Sequence, residues 1–198
     1  MIFRYFLVAL IGYLIGSIPM GLLIGKWCGV DVRQLGSGRT GGTNVYRAAG
    51  IGPAILTALL DIAKGALAVL IARMILPSPS AMVLAGLGAV MGHNWSCYIR
   101  FRGGAGTAPS LGALLLLSPL TFFIATPLGL IALVLSRYAS VGSMVISILA
   151  ALSLVILILS GRLPREYLLY AVGQAALIFY ALRPNIQRLR AGTERRLG

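Results

Sequence analysis

Seven apolar runs, at roughly 2–25, 53–76, 80–99, 105–117, 119–136, 140–160 and 166–182, take up most of this 198-residue chain. A helix needs about 20 apolar residues to cross the hydrocarbon core of a bilayer, and every backbone N–H and C=O in that core must be paired inside the protein. The runs therefore predict an all-α, polytopic integral membrane protein of about seven transmembrane helices, forming one transmembrane domain over residues 1–198. Composition agrees: 59% of residues are hydrophobic and 11% are charged, whereas a soluble domain carries about a quarter charged residues. The first run lacks a small-residue cleavage site and reads as a helix that stays in place. Pro109, Pro119 and Pro127 interrupt the fourth and fifth runs, with Ser118-Pro119 read as a turn.

The charge is lopsided. Seventeen Lys and Arg face four acids, Asp31, Asp61, Glu166 and Glu194, for a net charge of +13. Seven spans put the termini on opposite sides. Most of the basic residues, among them Arg39, Arg47, Arg100 and Arg102, then fall on one side, with Arg4, Arg73, Arg162 and Arg165 on the other and Lys64 inside a span. The positive-inside bias places the rich side in the cytoplasm, with the N-terminus outside and the C-terminus cytoplasmic. The excess also suits anionic lipid and an anionic substrate. Nucleic acid does not fit, because the basic residues are dispersed around apolar spans. Cys28 and Cys97 offer neither metal spacing nor a disulfide framework, so no metal and no cofactor are expected.

Two polar stretches break the apolar pattern. The first, Gly36-Ser-Gly-Arg-Thr-Gly-Gly-Thr-Asn-Val-Tyr-Arg47, combines backbone donors, hydroxyls and guanidinium groups in the way a phosphate requires. Its candidate ligands are Gly36, Ser37, Gly38, Arg39, Gly41, Thr43, Asn44 and Arg47. The second is Gly92-His-Asn-Trp95 followed by Arg100-Phe-Arg-Gly-Gly-Ala-Gly-Thr107, in which Gly103, Gly104 and Gly106 permit close backbone approach and positive φ beside Arg102. A tight interhelical turn with ordinary arginines is the competing reading. Its predicted position on the same face as 36–47 favours a functional one.

Other polar residues are scattered. Asp61 and Lys64, three apart on one helical face, are an ion pair within a span, read as scaffolding for the first loop. Ser140 and Ser143 open the sixth span on one groove, although serines in such helices commonly make helix contacts. In the tail Arg183-Pro-Asn-Ile-Gln-Arg-Leu-Arg190, Asn185 alone suggests a specific role. His93, the only histidine, has no serine–acid partnership and reads as structural.

In their order along the chain, these blocks resemble the bacterial acyl-phosphate:glycerol-3-phosphate acyltransferase family, PlsY. The matching residues are Gly16-Ser-Ile-Pro-Met-Gly21; Gly36-Ser-Gly38, Gly41, Thr43-Asn44 and Arg47; Asp61 with Lys64-Gly65; Gly92-His93; Phe101, Gly103-Gly104, Gly106 and Ala108; Arg137-Tyr138; and Asn185-Ile186, Arg188-Leu189, Gly192 and Glu194. They cover almost the whole chain.

The resemblance implies seven transmembrane helices in the inner (cytoplasmic) membrane, an outside N-terminus and an active site on the cytoplasmic side. It implies acyl transfer from acyl phosphate to glycerol 3-phosphate, giving 1-acylglycerol 3-phosphate and phosphate, without a cofactor. Ser37, Asn44 and Arg47 would be the catalytic residues. Gly36, Gly38, Arg39, Gly41, Thr43, Arg102, Gly103, Gly104, Gly106, Ser143 and Asn185 would bind substrate or phosphate, with Asp61, Lys64 and His93 in support. The acyl chain would lie in an apolar groove between helices, next to membrane lipid; the resemblance leaves the oligomeric state open. Three positions depart from the family pattern. Arg39 stands where Asn is usual, Ala105 where a lysine is expected, and Leu182 where some members carry a histidine. Because of them, a weak or inactive homologue that binds lipid phosphate or regulates a partner is the alternative. A small transporter fits the helix count but not the one-sided polar loops.

Overall fold

The computed structural model describes residues 1–197, which contain ten α-helices and no strand: α1 (Ile2–Ser17), α2 (Met20–Trp27), α3 (Gly42–Ala49), α4 (Ile51–Ile75), α5 (Pro79–Asn94), α6 (Thr107–Leu117), α7 (Pro119–Ser136), α8 (Ala139–Leu159), α9 (Tyr167–Ala181) and α10 (Arg183–Arg190), with a 3-10 turn at Cys97–Ile99. Four segments are long and apolar enough to cross a membrane: Ile2–Trp27, Ile51–Ile75, Pro119–Ser136 and Ala139–Leu159.

Several runs differ from their sequence reading. The 2–25 run is two helices, because Pro19 lacks an N–H and holds Ile18 extended (φ −60°, ψ 116°). The 80–99 run stops as a helix at Asn94. Pro127, read as an interruption, sits inside a continuous α7. Ser118-Pro119 does form a break: the Ser118 carbonyl side of the chain leaves α6, its hydroxyl caps α7 by accepting from the Thr121 N–H, and Pro119 fills the first turn. The polar stretch 36–47, expected as loop, becomes helical at Gly42, and the tail at 183–190 is the helix α10.

Packing is pairwise: α1 on α5, α4 on α6, α7 on α8 and α8 on α9. Val69, Val83, Leu114, Leu154 and Tyr170 form the main core. Tyr170 and Gln174, polar groups buried with it, are paired, as burial requires. The Tyr170 hydroxyl donates to Ser110 O (3.0 Å), and Gln174 Nε2 donates to Ser147 O (3.0 Å). The outer surface is apolar too, with Phe3, Leu59, Phe123, Leu135, Ile156 and Leu159 exposed. That inverts the soluble pattern and suits contact with lipid. At one end of the bundle, α3, α10 and the loops around residues 31–41, 95–106 and 137–138 converge.

Candidate active site

Asn44, in the first turn of α3, organises the loop before it. Its Oδ1 accepts from the Ser37 N–H (2.8 Å), and its Nδ2 lies within bonding reach of the carbonyls of Val32 (2.7 Å), Leu35 (3.1 Å) and Arg39 (2.9 Å). Gly36 has φ +56°, and a Cβ there would collide with Asn44 Oδ1, so glycine lets the loop close on the amide. At the loop's outer edge Arg33 grips Asp31 (2.6 Å). That hydrogen-bonded guanidinium brings the Asp31 pKa down to about 2.

The loop thus folded presents Ser37 and Arg39 to a cavity of ≈ 80 Å³. Thr43 and Arg47, four apart on α3, line the same cavity. Gly104 and Ala105 contribute from the second polar stretch, Ser140 and Ser143 from the start of α8, Leu182 and Asn185 from the α9–α10 junction, and Arg188, Glu194 and Arg195 from the C-terminal region. Arg39 Nη2 donates to Ala181 O. Burial, and then the neighbouring Arg188, disfavour the charge on Arg39; burial, and then Arg195, do so for Arg47. Both guanidinium groups gain from a nearby anion. One is present. The Glu194 carboxylate accepts from Asn185 Nδ2 (2.6 Å), Arg188 Nε (2.7 Å) and Ser140 Oγ (3.1 Å). Burial opposes its charge, but those hydrogen bonds together outweigh burial and hold its pKa below the ordinary carboxylate value.

Of the residues singled out from sequence, the fold gathers Ser37, Arg39, Gly41, Thr43, Asn44, Arg47, Gly104, Ser143 and Asn185 around this cavity. Gly36, Gly38, Arg102, Gly103 and Gly106 do not line it. Gly38 and Arg102 instead border a second cleft with Trp95 and Phe101. Gly103 packs on the His93 and Asn94 carbonyls, and Gly106, at φ +87°, caps α6. The sequence reading did not single out Arg188, Glu194 or Arg195 as site residues. Two signals were available for Glu194: it is one of only four acids in the chain, and it falls, with Arg188, in the C-terminal block that carries the family resemblance.

The supporting trio also has a different target from the one expected. Lys64 Nζ meets Asp61 Oδ1 (2.7 Å), His93 Nδ1 (3.0 Å) and the carbonyl of Ile18 (2.9 Å). None of these bonds reaches residues 36–47. The trio adds a second donor to the Ile18 carbonyl at the α1–α2 break, which also accepts from the Met20 N–H (3.0 Å), and fixes His93 under the second turn. There the Gly104 N–H donates to His93 O (2.9 Å), and a Cβ on Gly104 would strike the imidazole. The scaffolded element is therefore the 103–106 turn.

A larger groove of ≈ 380 Å³ adjoins the cavity. It is walled by Ala54, Ala58 and Ile62 of α4, Leu111 of α6, Leu130 and Leu133 of α7, and Ile146 of α8. Gly41, Thr43, Ala105, Ala139 and Ser143 border both spaces. A cationic, hydroxyl-lined chamber that opens into an apolar groove suits a molecule with an anionic head and an apolar tail.

A family model described as glycerol-3-phosphate acyltransferase matches residues 6–192. A protein of Thermus thermophilus named glycerol-3-phosphate acyltransferase is 46% identical over 190 residues, covering 96% of this chain and 93% of its own. A protein of Moorella thermoacetica named glycerol-3-phosphate acyltransferase 2 is 42% identical over 195 residues, covering 98% of each. The fold is similar to the crystal structure of PlsY (YgiH), an integral membrane glycerol 3-phosphate acyltransferase, in its glycerol 3-phosphate form. The TM-score is 0.89 with 36% identity, over 98% of this chain and 96% of that one. For the lysophosphatidic acid form of the same protein the TM-score is 0.87 with 35% identity, over 98% and 95%.

Proposed function

This chain belongs to the glycerol-3-phosphate acyltransferase family, and from that premise we propose that it is a membrane-embedded enzyme transferring a fatty acyl group from acyl phosphate to glycerol 3-phosphate. The products are 1-acylglycerol 3-phosphate and inorganic phosphate. The whole chain acts as one transmembrane domain. It crosses the inner membrane seven times, with α1 and α2 together as the first crossing and α4 to α9 as the others. The distribution of Lys and Arg supports an outside N-terminus and a cytoplasmic site.

The observation that carries the reading is the junction of the two spaces at Thr43, Ala105 and Ser143. An acyl phosphate seated across it puts its chain among α4, α6, α7 and α8, its phosphate among the guanidinium groups, and its carbonyl carbon between them. The glycerol 3-phosphate hydroxyl attacks that carbon, the C–O bond to phosphate breaks, and the phosphate leaves with the bonding electrons and takes up the hydroxyl proton. The mixed anhydride already has a good leaving group, so the protein's work is alignment and charge stabilisation. Arg39, Arg47, Ser37, Thr43, Ser143 and Asn185 supply the donors. Asn44 acts through the loop it organises, as a positioning residue.

The purified protein, given acyl phosphate and radiolabelled glycerol 3-phosphate, is expected to make labelled lysophosphatidate and release phosphate in equal amounts. Folded protein that makes none would sink the enzyme reading; binding without turnover would leave an inactive homologue.

Arg39, Ala105 and Leu182, the three departures from the family pattern, line one cavity. Arg39 thus stands where it can supply the charge that Ala105 lacks. Arg39→Ala is expected to lower kcat/KM by about 10- to 100-fold, the loss of one charge-assisted hydrogen bond of ~1.5–3 kcal/mol. Adding Ala105→Lys to that variant should restore most of it. A large gain from Ala105→Lys in the otherwise unaltered protein would mean that Arg39 compensates poorly.

A further inference from the structure

The segment after α10 turns back over the site. Gly192, at φ +69°, reverses the chain, and the N–H groups of Gly192 and Thr193 donate to the carbonyls of Leu189 and Arg188. The chain then crosses the cavity. Glu194 lodges its carboxylate inside, and the Arg195 carbonyl accepts from Arg47 Nη2 (3.2 Å). Arg196 Nε donates to the Tyr138 hydroxyl (3.0 Å), and the Leu197 N–H donates to Arg137 O (2.8 Å). Residues 192–197 therefore form a strap pinned at α10 and at the α7–α8 corner, with an anion at its centre.

Two independent features set this arrangement against a loaded site. The first is space. With the strap seated the chamber among the arginines, which has to take the phosphate groups while the ≈ 380 Å³ groove takes the acyl chain, is only ≈ 80 Å³. The second is charge. Arg39, Arg47, Arg188 and Arg195 surround a single carboxylate. Arg188 Nε and Asn185 Nδ2 are taken up by that carboxylate and become free to meet a substrate phosphate only when Glu194 withdraws. A phosphate offers more acceptor oxygens to the same donors than a carboxylate, so it is the stronger ligand for them.

We propose that the C-terminal strap is a self-blocking latch: Glu194 occupies the anion site of the resting enzyme, and substrate phosphate displaces it, lifting the strap about Gly192. The proposal rests on the reading that phosphate substrates bind in this cavity. Asn185 supplies the exchange point: its Nδ2, which holds Glu194, can pass to a phosphate oxygen, and its buried Oδ1, without a partner, can accept from a substrate hydroxyl. An intramolecular carboxylate competes at an effective concentration in the millimolar range, so the latch sets a threshold that free phosphate at low concentration does not pass.

Hydrogen exchange on the unaltered protein in lipid nanodiscs tests the latch, with calorimetry run in parallel to establish that glycerol 3-phosphate binds. Saturating glycerol 3-phosphate is expected to speed exchange in a peptide covering 191–197 by about fivefold or more, because its pinned N–H groups open. Exchange that is unchanged or slower while the substrate binds would overturn the latch and leave the tail as a fixed wall. No binding at all would overturn both the latch and the reading beneath it. As a second measure, Glu194→Gln is expected to bind inorganic phosphate about tenfold tighter by removing a competing like charge. Equal or weaker binding by the folded variant would overturn the latch, and if the variant does not fold the exchange experiment decides alone.

Discussion

Arg47→Ala is expected to lower kcat/KM for glycerol 3-phosphate by about two orders of magnitude or more while the protein still folds. Arg47 lies half-buried on the cavity side of α3, one turn from Thr43, and among the described residues its side chain has one hydrogen bond, to the Arg195 carbonyl at 3.2 Å. That contact is a small part of the stability of the bundle. Against a phosphate the same guanidinium makes charge-assisted bonds worth ~1.5–3 kcal/mol each, and a bidentate pair accounts for the hundredfold. The measurement is turnover of radiolabelled glycerol 3-phosphate by purified variant and parent, with thermal unfolding run beside it. Arg47→Lys tests geometry: a point charge without the planar fork should recover only part of the loss. Unchanged turnover in Arg47→Ala would remove this residue from the site.

The largest effect on stability is expected from Lys64→Ala. Lys64 and Asp61 are 3% and 1% exposed, so removing the cation strands a carboxylate in the interior. Breaking a buried pair in this way costs about 3–5 kcal/mol. Neither Asp61 oxygen makes a well-directed hydrogen bond, so the carboxylate depends on the nearby charge. The variant also takes one of two donors from the Ile18 carbonyl and loosens His93 beneath Gly104. A fall in Tm on the order of 10 °C follows from the size of the chain, with a loss of activity through the displaced turn. Removing both charges, as Asp61→Asn with Lys64→Met, should recover most of the Tm, because the desolvation cost goes with the pair. A Tm in Lys64→Ala within about 2 °C of the parent, corresponding to ~1 kcal/mol or less, would show that the network carries little of the fold.

How far the sequence could be read differs from residue to residue. Thr43 and Arg47 were legible as phosphate-binding candidates by residue type, but their place on one helical face was not, because 36–47 read as loop and the helix from Gly42 came only with the fold. Asn44, in the same stretch, was read as a catalytic group. The structure turns its amide onto three carbonyls of the preceding loop, a destination that depends on how residues 32–39 fold around it. Arg102 looked equivalent to Arg39, each an arginine among glycines. Both border the neighbouring cleft, but Arg39 alone also reaches the cavity, a difference that depends on how the two loops pack and not on their local sequence. Asp61 and Lys64 were legible as a pair, but their partners Ile18 and His93 lie 46 and 29 residues from Lys64, beyond any local pattern.

The sequence by itself determined the class of fold and the family. Long apolar runs have one economical solution in lipid, the helix that pairs its own backbone, and the order of polar blocks between them narrows the chemistry to phosphate and acyl transfer. Only the tertiary structure decided which of the polar groups meet. It brought Glu194 into the chamber of arginines, joined that chamber to an apolar groove at Thr43 and Ser143, and set Gly104 on His93. The physical reason is range. Hydropathy and helical periodicity act over a few residues, whereas a charge goes to whichever partner the packing of distant helices brings within about 3 Å, the distance of a hydrogen bond.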